Sequence, residues 1–163
     1  MPLSMSQASV PVFLRALRNL SAVLEKGAAH PDAALLVEAR LYPDMLTLAG
    51  QVQRASDAAK GCAARLSGTQ PPSFPDTEKS FPELQERIRK TIDYIKSVPS
   101  SQIDGSEERE IRFKAGKSEY NFTGQQYLQA FAIPNFFFHV TVAYAILRHK
   151  GIEIGKMDFL GRS

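Results

Sequence analysis

The sequence predicts an all-α domain with one small β-hairpin set before its last long helix. Three observations carry this reading. Apolar residues recur at spacings of three and four over long stretches of the 163-residue chain. Capping residues, prolines or glycines bound each stretch. Charged and apolar residues alternate with a period of two in one short segment, EIRFKAGKSEYNF, which ends at Phe122. A chain of this length is a single domain, residues 1–163, and can bury a self-sufficient core.

The first helix is read over 6–25. Val12, Leu14, Leu17, Leu20, Val23 and Leu24 form its apolar stripe. Ser9 is placed as its N-cap, Pro11 in its first turn and Gly27 at its end. A connector follows, with His30 in loop context before Pro31. The second helix opens at Pro43 and runs to Gly68. Met45, Leu48, Val52, Ala55, Ala59, Cys62 and Leu66 alternate by four and three, and most are small enough to let a partner helix approach closely. Arg40 and Asp44, four apart, can pair in solvent, or Arg40 with Gln51 and Arg54 can line a polar end of the interior. The segment 66–77, LSGTQPPSFPDT, reads as a linker.

The third helix spans 80–98. Ser80 and Glu83 make a capping box, Pro82 fits the first turn and Pro99 stops the helix. Leu84, Ile88, Thr91, Ile92 and Ile95 supply its buried face. In the hairpin, Ile111 and Phe113 face Tyr120 and Phe122 across Ala115-Gly116-Lys117. A two-stranded ribbon is marginal alone and must dock on helices. Thr123 caps a short helix that leads to the central one, PNFFFHVTVAYAILRHKG. Pro134 opens that helix, and Gly151 ends it after Arg148, His149 and Lys150. Phe136, Val140, Ala143 and Leu147 share one face, while Phe137, Phe138, Val142 and Ile146 extend apolar character round the rest. A helix so apolar is enclosed by several neighbours. The tail, GIEIGKMDFLG, folds back on the helices through Ile152, Ile154, Phe159 and Leu160.

Composition narrows the function classes. The hydrophobic share is 44%, the charged share 23% and the net charge +3, from 20 basic and 17 acidic residues. No basic block with interleaved aromatics occurs, which argues against nucleic acid. No run of 18 uncharged apolar residues occurs, so no membrane span is expected. The N-terminus lacks the pattern of a signal peptide, and the expected location is the cytoplasm. Cys62, the only cysteine, sits on an apolar helical face and is expected to be buried and inert. There is no GxGxxG, GxxxxGK[ST], HExxH, CxxC or GxSxG, so no cofactor is indicated. His139 and His149 are ten residues apart. That is about 80° of rotation and about 15 Å of rise, too far for a straight helix to bring them to one metal.

The second-helix run, the PNFFFHVTVAYAILRHKG segment and the ending GIEIGKMDFLG resemble the DinB/YfiT-like helical bundles, within them a family of unknown function. The resemblance spans the full length. It implies a four-helix bundle, a long crossover between helices two and three, and a homodimer. Many such proteins hold a divalent metal with one histidine from the second helix and two at i and i+4 on the fourth. His139 matches the first fourth-helix position, but Ala143 stands four residues on, and no histidine lies between His30 and His139. No metal is therefore expected, and activities that depend on it are in doubt.

Three functions remain. The first is a metal-free small-molecule site near His139, Tyr144, Arg40, Gln51 and Arg54, in which His139 acts as a general base and an arginine holds an anionic group. The second is a homodimeric structural protein that uses Phe136-Phe137-Phe138 at its interface. The third is a degenerate metalloprotein with His139 and either Gln51 or Asp57.

Overall fold

The computed structural model describes residues 2–161. The elements are α1 (Met5–Ala28), α2 (Ala33–Val37), α3 (Leu48–Ser67), α4 (Phe81–Ser97), α5 (Ser100–Ile103), β1 (Glu110–Ala115), β2 (Ser118–Thr123), α6 (Gly124–Gln126), a π-helical turn (Tyr127–Ala132), α7 (Ile133–His149) and α8 (Lys156–Leu160). The protein is thus mostly helical, with one two-stranded antiparallel sheet.

α1 starts before the expected cap. Ser4 accepts from the Gln7 backbone N–H while the Gln7 side chain accepts from that of Ser4, a reciprocal capping box. The Ser9 hydroxyl instead bonds back to the Met5 carbonyl at 2.7 Å, inside the helix. α3 starts later than expected, because Thr47 caps it and 41–46 form a loop. α4 has the predicted Ser80 cap, although the Glu83 carboxylate reaches the Lys79 N–H. α3 and α7 both end in Schellman turns at left-handed glycines, Gly68 and Gly151.

α7 departs most from expectation. Gly124–His149 is one continuous 26-residue helix, with Pro134 inside it. A proline ring collides with the carbonyl four residues back and offers no N–H. The wide turn immediately before Pro134, where the Ile133 N–H reaches the Leu128 carbonyl, accommodates the ring without breaking the rod. By length and composition alone, with a mean hydropathy of 1.6, this helix would qualify to cross a membrane; 39% of that window is buried within the protein.

Side-chain contacts fix the arrangement of the four long helices. Phe13 meets Phe136 edge-on at 4.9 Å, and Gly27 lies against Leu147, so α1 and α7 run parallel. Ser21 bonds Gln85 and Gly27 abuts Phe81, so α1 and α4 run antiparallel. Gln51 meets His139 and Arg65 meets Tyr127, so α3 and α7 run antiparallel. It follows that α3 and α4 are parallel, and 69–80 must return along the full length of α3. Gln53, near the start of α3, does bond Glu78 from the far end of this connection. The core is sealed by Leu17, Leu24, Leu48, Val52, Ala55, Ala59, Cys62, Leu84, Ile95, Phe136 and Ile146, all at 0% exposure, with Phe13, Leu20 and Ile88 beside them at 1–2%.

The hairpin pairs Ile111 with Phe122 and Phe113 with Tyr120. Gly116, with φ +60°, takes the first turn position and Lys117 keeps negative φ, which is the II′ geometry. The ribbon docks through aromatic contacts: Phe113 meets Phe131 edge-on at 5.0 Å and Tyr127 edge-on at 5.5 Å.

Candidate ligand cleft

A cleft of about 560 Å³ opens between α3, the π-helical turn, the start of α7, the returning strap and the tip of the hairpin. Its α3 wall is one helical face: Arg54, Ala58, Gly61 and Arg65, spaced four, three and four. The opposite wall is Tyr127, Phe131, Asn135 and His139, each four apart across the wide turn. Ala58 leaves space that a larger side chain would fill. Phe74 of the strap and Phe113 of the hairpin complete the enclosure.

His139 lies at one end. Its Nδ1 is 2.8 Å from Gln51 Oε1. The Gln51 amide nitrogen faces the Leu46 carbonyl, so Oε1 accepts and the ring donates from Nδ1, leaving Nε2 as an acceptor. Burial, then the nearby Arg54 charge, depresses the His139 pKa from 6.5 to about 4. A neutral ring at pH 7 with so low a pKa accepts a hydrogen bond better than it removes a proton. A stability signature follows. From about pH 6.5 down to about 4 the unfolded chain protonates this ring and the folded chain does not, so stability is lost as pH falls through that window. Allowing for solvent screening of a half-buried ring, His139→Asn, which keeps a donor for Gln51, should remove about 1 kcal/mol of that loss. Urea unfolding at pH 7 and pH 4.5 measures it; the same acid loss in both proteins would refute the assignment.

This donor set does not suit a divalent cation. It offers one imidazole whose Nδ1 is engaged, one amide and the positive Arg54. Asp57 is directed elsewhere, to Lys60 at 2.7 Å and Arg87 at 2.9 Å. Among the described residues no three His, Cys, Asp or Glu side chains converge.

Arg65 stands at the other end. Its Nη1 donates to the Tyr127 hydroxyl at 3.0 Å, and its guanidinium lies 4.4 Å over the Phe113 ring. A Cβ on Gly61 would come within 2.5 Å of Arg65 Nη1, so the glycine makes room for the arginine to lie along the helix. Burial keeps the Tyr127 hydroxyl protonated, with its pKa pushed far above the ordinary value. Cys62, fully buried beneath, is likewise held as the thiol by burial.

Of the residues expected from sequence, His139 and Arg54 line this cleft, and Gln51 sits behind His139. Arg40 and Tyr144 lie outside the set that lines it. Arg40 donates to the Met45 carbonyl and bridges Thr47, closing the loop before α3. Tyr144 donates to the Ile154 carbonyl and meets Phe159 edge-on, holding the C-terminal tail. Sequence reading passed over Arg65, Tyr127 and Phe131. Their signal was available: Arg65 falls about 20° from Arg54 on the α3 wheel, with a glycine between them.

Residues 5–160 match the model of a family described as a domain of unknown function, DUF1993. The chain belongs to this family. A solved structure, a DinB family member protein from Shewanella denitrificans, is 35% identical to it with a TM-score of 0.85, over 96% of this chain and 91% of that one. The family membership and this likeness establish a DinB-like fold. Among curated proteins, none matches significantly.

Proposed function

We propose that the four long helices form a metal-free DinB-type bundle that binds a small molecule in the cleft between α3 and α7. The observation that carries this is the lining. Two helical faces present arginine, tyrosine, asparagine and histidine side chains across small residues, in a space suited to a small organic ligand. His139 serves as an acceptor that orients the ligand. Hydrogen–nitrogen correlation NMR with a set of neutral, cationic and anionic aromatic fragments tests it. Shifts should cluster on Gly61, Gly116, Ala132 and Asn135. Shifts scattered elsewhere, or none at millimolar fragment, would remove the reading.

A second reading, a homodimer, is favoured by Phe138, 55% exposed on α7. Light scattering on the same samples decides it, since a strict monomer at 100 µM (roughly the concentration at which weak interfaces form) leaves this reading without support.

A further inference from the structure

The cleft has an electrostatic imbalance that names its ligand class, given that the cleft is a ligand site at all. Arg54, Lys60, Arg65 and Lys114 face Asp57 as the only carboxylate in the wall. Arg54 pairs with Asp57 and with Asp76 of the strap, and Lys60 with Asp57. Among the described residues, neither Arg65 nor Lys114 has a carboxylate within ion-pair distance. Arg65 is nevertheless held in place by a tyrosine hydroxyl, an aromatic face and a glycine-made space. A partly buried guanidinium without a counter-ion is costly, and its planar fork matches carboxylate and phosphate oxygens.

We propose that the ligand is a small organic anion with a flat apolar body. Its carboxylate or phosphate sits on Arg65, with Lys114 of the hairpin tip adding charge from the other side. Its body lies against Phe74 and Phe131, on the side of Arg65 toward the neutral His139. The aromatic lining distinguishes this from a site for a bare inorganic ion, which would leave most of the 560 Å³ unfilled.

The probes are phenyl phosphate and its neutral counterpart benzyl alcohol, titrated against the intact protein by NMR. Phenyl phosphate should shift the Gly116, Ala132 and Asn135 amides saturably and bind at least about tenfold more tightly than benzyl alcohol. Arg65→Gln should weaken phenyl phosphate about tenfold, and Arg65→Lys should recover part of that loss, since charge returns without the fork. If Arg65→Gln fails to fold, Lys114→Gln, at an exposed position of β1, should still weaken the phosphate and leave the alcohol unchanged. Equal affinity for the two probes, or an affinity indifferent to both substitutions, overturns the anion assignment while the cleft stands as a ligand site. Silence of the cleft toward these probes and toward the whole fragment set overturns the ligand site itself.

Discussion

Gly124→Ala should destabilise the protein by about 3 kcal/mol and lower its melting temperature by about 6–12 °C. Gly124 opens the long helix, and the chain between α5 and β1 lies directly on it. A Cβ there would overlap the Ser106 carbonyl oxygen and come 3.0 Å from its carbonyl carbon. Both are backbone atoms, so no rotamer change relieves the overlap. Nor can the segment easily withdraw: Ser106 accepts from the Arg109 N–H, Glu107 accepts from the Gln125 N–H, and Ser106 is fully buried. Gly155→Ala is the control, because nothing lies within 4 Å of the added methyl and φ there is negative. That change should stay within about 0.5 kcal/mol. Calorimetry on both variants checks the contrast; a Gly124→Ala protein melting with the parent would show that the contact yields freely.

Arg87→Met should cost about 3–5 kcal/mol, the range for removing one partner of a buried ionic cluster. The Arg87 side chain is 1% exposed and joins three separate pieces of chain. It reaches Asp57 on α3 at 2.9 Å, and Asp76 at 3.0 Å and Glu78 at 3.1 Å on the strap, and it donates to the Pro75 carbonyl. Methionine fills similar volume but leaves Asp57 with Lys60 and Arg54, Asp76 with Arg54, and Glu78, among the described residues, with only the Gln53 amide. The strap should loosen as well, exposing 70–77 to proteases. Adding Asp57→Asn and Glu78→Gln should return part of the stability, because the stranded charges go with them. Arg89, two residues on, also pairs with Glu86 and Asp93, but all three are well exposed, and Arg89→Met should leave the melting temperature unchanged. Urea titration and limited proteolysis together provide the check. An Arg87→Met protein with parental stability and an intact strap would contradict this account.

The helices were legible in the sequence because burial follows period. Leu17, Leu20 and Leu24 on α1, and Leu48, Val52, Ala55, Ala59, Cys62 and Leu66 on α3, are buried as their spacing requires. The hairpin was legible because Gly116 announces a turn between alternating strands. Helix starts were less so. Ser9 before Pro11 reads as the first cap, although the helix starts at Ser4 with Gln7, and Pro134 resembles a helix opener whether or not the helix continues through it. The cleft was legible in part. His139, Gln51 and Arg54 stand out on their own helices, but what surrounds them comes from distant segments. Phe74 arrives only because the strap returns along α3, and Asp57 is claimed by Arg87, thirty residues away. No periodicity encodes such meetings. Arg65 reads as an ordinary surface arginine until Phe113 and Tyr127 are brought beside it.

The wide turn at Tyr127–Ala132 has a consequence for how such a protein can diversify. Within one uninterrupted rod, each residue gained or lost rotates everything upstream by about 100° relative to everything downstream. Deleting a single residue there would instead close the wide turn to an ordinary α turn, and the Pro134 ring would then collide with the carbonyl four residues back. The spare residue and the proline are thus tied together, and a descendant can lose the one only by replacing the other.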